Sequence, residues 1–95
     1  MSQPDFLVHD EVDNVGVIVK EGITKGQELS GLIMENGKTM KVTAQADIPL
    51  GHKVALKDLS VDDLVIKYSG NIGHITESVG LGGHVHVHNT KTNRW

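Results

Sequence analysis

Near one end of this sequence of 95 residues, three histidines alternate with valine in the run His84-Val85-His86-Val87-His88-Asn89. On an extended strand, residues two apart face the same side. This spacing therefore sends three imidazoles to one face and turns Val85 and Val87 into a core. Same-side Cβ atoms then lie about 7 Å apart, close enough for two of the three rings to reach one divalent ion, with open positions left for water, substrate or a partner's ligands. The same alternation also describes a solvated strand edge, polar out and apolar in. A second group, Gly51-His52-Lys53, follows directly on Asp47-Ile48-Pro49-Leu50. It sets a base that titrates near neutrality beside a fixed cation, a pairing suited to an anionic substrate's carboxylate or its acidic proton. A third, Val65-Ile66-Lys67-Tyr68, offers Lys67 and Tyr68 to an anion, and Tyr68 is equally suited to closing the rim of a core. His9 and His74 stand alone and read as surface or structural residues, and Asp10-Glu11-Val12-Asp13 reads as a solvated loop.

Short strands must carry these residues. Valine and isoleucine number nineteen, threonine adds six, and alanine appears three times, which is the composition of a β protein. No apolar stripe of helical period runs between caps for more than about ten residues. Strand-like runs span Phe6 to His9, Val15 to Val19, Leu29 to Met34, Thr39 to Thr43, Lys53 to Leu56, Leu64 to Tyr68, Gly73 to Thr76 and His84 to His88. Asn36-Gly37 predicts a type I′ hairpin turn. A weak internal repeat organises the rest, in the frame apolar-x-x-Gly/Asp-x-x-apolar. It occurs at Ile23/Gly26/Leu29, Ile48/Gly51/Val54, Leu59/Asp62/Val65 and Val79/Gly82/Val85. Each copy reads as an apolar anchor, a turn residue that tolerates the left-handed region, and entry into a strand.

The length fits one domain, residues 1–95, with little room for a deep pocket walled by this chain alone. Without cysteine there is neither a disulfide framework nor a thiolate metal site, so a metal here depends on His, Asp or Glu. A net charge of -3, one arginine and three aromatic residues argue against a nucleic-acid footprint. The acidic start is no signal peptide, and no apolar run is long enough to span a membrane. The expected location is the cytoplasm.

Taken together, Asp47 to Leu56 with its Gly-His-Lys, Val65-Ile66-Lys67-Tyr68 with Ile72-Gly73, and His84 to Asn89 with Thr90-Lys91-Thr92-Asn93 resemble the SAF-type domain of the altronate dehydratase family. The resemblance covers essentially the whole chain from about Phe6, and Tyr68-Ser69-Gly70 departs from it by one added residue. It implies an all-β, compact β-clip (SAF-type) domain of short strands and tight turns. It also implies a role beside a large catalytic (beta) lyase subunit, in a β-elimination on a small 2-hydroxy acid. The eliminated group would be bisulfite from (2R)-3-sulfolactate or, alternatively, water from a sugar acid such as altronate. On that reading His84, His86 and His88 are metal ligands, with Fe2+ expected and Mn2+ or Zn2+ as alternatives. His52 does acid or base work, and Lys53, Lys67, Tyr68 and Asn89 bind substrate. Lys91 and Arg94 are further cations for a sulfonate. Two other readings use the same residues: a non-catalytic metal or acid-binding module, and an assembly piece that orders subunits without entering the site.

Overall fold

Among the described residues, the β-rich composition is realised as nine strands and no helix. The structure, a computed structural model, describes residues 3–67 and 70–92. The strands are β1 (Phe6–Val8), β2 (Val15–Ile18), β3 (Glu28–Ile33), β4 (Thr39–Thr43), β5 (Lys53–Ala55), β6 (Leu64–Lys67), β7 (Gly70–Ile75), β8 (His84–Val85) and β9 (Thr90–Thr92). Six of them form one sheet in the order β4-β3-β1-β2-β5-β8, in which only β1 and β3 run parallel; β6-β7-β9 form a second, antiparallel sheet.

The repeat read from the sequence is the device that bends this chain. Gly26, Gly51, Asp62 and Gly82 all have positive φ, at 92, 86, 74 and 84°. Each is the third residue of a turn closed by a backbone hydrogen bond: Gln27 to Thr24, His52 to Pro49, Asp63 to Ser60 and Gly83 to Gly80. A left-handed residue at that place alone marks type II turns. The amide of each left-handed residue also donates to a carbonyl elsewhere, on Ala44, Ile18, Ile75 and Ala55 respectively. The apolar anchors meet in pairs across two isolated bridges, Ile23 with Ile48 and Leu59 with Val79.

Two small cores result. One gathers Phe6, Val8, Ile18, Ile23, Leu29, Val42, Ala44, Ile48 and Val54; the other gathers Val15, Ala55, Leu59, Val65, Ile75 and Val85. The partition runs through β2 and β5, because alternate residues of a strand face opposite sides: Val54 enters the first core and Ala55 the second. The ring of Phe6, fully buried, occupies the space above Gly31 and Gly16 where a Cβ would otherwise stand. Asn14 joins the sheets, its Nδ2 donating to the Leu64 carbonyl at 2.7 Å and its Oδ1 accepting from Ile66 N at 2.7 Å.

Three expectations are corrected. The Asn36-Gly37 turn is not type I′: only Gly37 has positive φ, Gly37 N donates to Ile33 O, and Asn36 Oδ1 accepts from Lys38 N. The wider loop satisfies the same backbone groups with one left-handed residue instead of two. Asp13, expected in a solvated loop, is buried, and its carboxylate accepts from Asp10 N. The strand at His84 ends at Val85, and Val87 is 73% exposed rather than in a core.

Candidate functional site

The histidines of two separate motifs meet because of strand register. β5 and β8 pair antiparallel with Lys53 opposite Val85 and Val54 opposite His84. Continued one residue outward, that register sets His52 beside His86. Their rings stack with centroids 3.6 Å apart and planes 17° from parallel. His52 Nδ1 lies 2.7 Å from His84 Nε2, so the two rings share a proton, one as donor and the other as acceptor. The His88 ring stands 4.7 Å from that of His84, tilted by 46°. Four imidazoles thus form one cluster where β8 of the large sheet turns toward β9 of the small one.

That turn spans His86 to Asn89. The Asn89 N–H donates to the His86 carbonyl at 3.1 Å, Asn89 Oδ1 accepts from His86 N at 3.0 Å, and Asn89 Nδ2 donates to the His84 carbonyl at 2.8 Å. Thr90 Oγ1 donates to the His86 carbonyl at 2.7 Å. Asn89, expected to bind substrate, therefore turns its amide inward onto the backbone and is only 5% exposed. Val87 faces out because four residues must reverse the chain within this turn, which leaves its tip in solvent.

Burial holds His84 and His86 below the usual histidine range. For His84 the neighbouring rings of His88, His52 and His86 add to the effect, and for His86 the His52 ring, the Lys53 ammonium and the His88 ring do so. Each cation in such a cluster disfavours the next, so the neutral, ligating form of imidazole is favoured. His86 Nδ1 is buried without a hydrogen-bond partner among the described residues, a donor atom that a ligand could satisfy. The chemistry of this donor set fits a divalent metal. The rings stack rather than aim at one point, however, and among the described residues no three His, Asp or Glu side chains are arranged to hold an ion.

Lys53 borders the cluster, close enough to act on His86. Lys53, on the strand residue next to His52, lines a hollow of about 30 Å³ with Val65, Ile72, Gly73, Thr90 and Lys91. Its ammonium is pushed below the usual lysine range, first by burial and then by repulsion from Lys67. Lys67 lies at the edge of a second hollow, lined by Leu7, Val17, Val19 and Met34 among others. Tyr68 and Arg94 fall outside the described residues. His9 is exposed, and His74 sits half-buried on β7 opposite Leu64 and Lys91. The sequence shows no sign that Thr90 ties down the histidine turn. His52 stands one residue past the left-handed Gly51 and His84 two past the left-handed Gly82, so the two occupy different places in their copies of the turn frame and the β5–β8 register brings them together.

Comparison with proteins of known name places the chain among its relatives. The chain is 50% identical over 91 residues to the (2R)-sulfolactate sulfo-lyase subunit alpha of Chromohalobacter salexigens, which covers 96% of this chain and 97% of that protein. It is 50% identical over 64 residues to the subunit of the same name from Paracoccus pantotrophus, covering 67% of this chain and 96% of that one. Against the altronate dehydratase of Bacillus subtilis the identity is 35% over 88 residues, 93% of this chain but 16% of that much longer enzyme. The profile of the altronate/galactarate dehydratase SAF domain matches residues 4–93, and with these turns, this sheet order and these histidines the chain belongs to that family.

Proposed function

We propose that this chain is the small subunit of a two-subunit lyase that converts (2R)-3-sulfolactate to pyruvate and bisulfite. The observation that carries the reading is the gathering of four imidazoles at one edge of a chain half-identical, over nearly its whole length, to a sulfolactate sulfo-lyase subunit alpha. The domain is too small to enclose a substrate by itself. A large catalytic subunit would close the site; in the altronate dehydratase of Bacillus subtilis the matched stretch is 16% of a much longer chain. Water elimination from a sugar acid such as altronate is the second reading, favoured by that more distant likeness. Both readings describe a cytoplasmic chain working beside its partner.

His52 is the group assigned to move the C2 proton, since it shares a hydrogen bond with His84 and so has a route for that proton into the cluster. As the C2–H electron pair becomes the C2=C3 bond, the C3–S bond breaks and sulfur leaves with its pair as sulfite, which takes up a proton. The enol left behind gains a proton at C3, gives up its hydroxyl proton and becomes pyruvate. A divalent metal, Fe2+ first and Mn2+ or Zn2+ as alternatives, would be held by His84, His86 and His88 with groups of the large subunit, and would polarise the carboxylate and 2-hydroxyl. Lys53 and Lys67 repel one another, so an anion between them is stabilised; with Lys91 they are assigned to the substrate's sulfonate and carboxylate.

The chain alone is expected to be inactive, and bisulfite release is expected when it is mixed with the large subunit, divalent metal and sulfolactate. His52→Ala and His86→Ala should each lower kcat by about 10²-fold or more. Unchanged rates in both variants would show that the cluster does not serve the reaction, and faster turnover of altronate would move the assignment to the dehydratase reading.

A further inference from the structure

We infer that Asn89 is the positioning residue of the histidine cluster, fixing His84 and His86 against His52 through their backbones. The inference rests on the reading that these imidazoles serve the reaction. One side chain holds both histidines: Oδ1 takes the His86 N–H at 3.0 Å and Nδ2 gives a hydrogen to the His84 carbonyl at 2.8 Å. Its own backbone is fixed at both ends, the N–H on the His86 carbonyl at 3.1 Å and the carbonyl accepting from Thr76 N at 2.8 Å. The Thr76 bond ties the turn to the residue that follows β7. Position 89 thus transmits the placement of both sheets to the two rings that contact His52.

Only a primary amide can do this work. A planar group that accepts on one atom and donates from the other, over the same short reach, is supplied by asparagine and by no other residue of that length. Aspartate keeps the acceptor but sets a negative oxygen against the His84 carbonyl. Alanine leaves a half-buried N–H and a half-buried carbonyl without partners, and the four-residue turn has no slack with which to find others. The ring stack at 3.6 Å and the shared proton at 2.7 Å tolerate little drift, and displacements near 1 Å at reacting groups cost about 10²-fold in rate.

The test uses the full chain, alone and with the large subunit, carrying Asn89→Asp, Asn89→Ala or the milder Thr90→Val. Asp63→Ala serves as control, since it removes the same type of bond, Ser60 N to Asp63 Oδ2 at 2.7 Å, in a turn remote in sequence from the histidines. Imidazole 15N–1H spectra of the chain alone should show the His52–His84 proton in the parent and in Asp63→Ala, but not in either Asn89 variant. In the complex, kcat should fall about 10²-fold for the Asn89 variants with KM within about threefold, and by a smaller factor for Thr90→Val. Asp63→Ala should lower the melting temperature without moving kcat. Retention of the shared-proton signal and of kcat in a folded Asn89 or Thr90 variant would overturn the inference, as would an equal loss of kcat in Asp63→Ala. Should the parent complex turn over neither sulfolactate nor altronate, the proposed function fails while the spectra still decide the role of Asn89.

Discussion

At the scale of single residues, the cluster is organised by the conflict between four titratable rings packed together and the cost of charging any of them. Burial lowers the affinity of His84 and His86 for protons, and each protonated neighbour lowers it further. In the unfolded chain the same histidines titrate near pH 6.5. Above that value both states are neutral and the folded state keeps its full stability. As pH falls toward the depressed folded values, the unfolded chain binds protons that the folded chain refuses, and stability is lost. The melting temperature should therefore drop between about pH 7 and pH 5. A His84→Gln, His86→Gln double variant should flatten that drop, measured by thermal melts across the range. The paired motifs were legible in the sequence at this scale as residue types, and the imidazoles of Gly51-His52-Lys53 and His84-x-His86-x-His88 are the ones the fold brings together. Asn89 was not, because a polar residue that follows a histidine motif looks the same in sequence whether its amide faces a ligand or the backbone.

At the scale of elements, the four type II turns decide where β3, β5, β6 and β8 begin. Their left-handed residues differ in how much space surrounds them. No atom lies within 4 Å of the position a Cβ would take at Gly26 or Gly51, whereas at Gly82 that position coincides with the Thr43 carbonyl. Gly26→Ala should cost only the left-handed penalty of about 1–2 kcal/mol. Gly82→Ala should cost more, because the backbone of Thr43 cannot rotate away, and chemical denaturation of the two variants checks the order. Asp62, at the same turn position with φ of 74°, shows that the frame accepts an acidic residue there, as the sequence frame anticipated. The hairpin at Asn36 shows the limit of such reading. The dipeptide is compatible with more than one turn, and the pairing of Leu32 with Thr39 leaves a loop too wide for the two-residue form.

For the molecule as a whole, the relation between the two sheets matters most, since the histidine turn leaves one and enters the other. Asn14 is the second tie across this seam, and Asn14→Ala removes two side-chain hydrogen bonds at about 1 kcal/mol each. The variant should unfold at lower denaturant, and amide exchange should quicken first along β6, with activity in the complex falling as the seam loosens. Uniform exchange acceleration across both sheets would mean that the seam is held by the shared core instead. The second core, reached by Val15 from β2 and Ala55 from β5, is the competing tie.

The sequence by itself determined the β class, the four corners of the fold and the residue types of the site. These depend on short-range physics: branched side chains favour extended backbone, glycine and aspartate tolerate the left-handed region, and period-two spacing picks a face. Only the tertiary structure decided that His52, 32 residues from His84, shares a proton with it, that the histidine strand stops at Val85, and that Asn89 faces inward. Those outcomes follow from strand register and from the few residues left to bridge two sheets. Such constraints arise between segments far apart in the chain, and no local pattern encodes them.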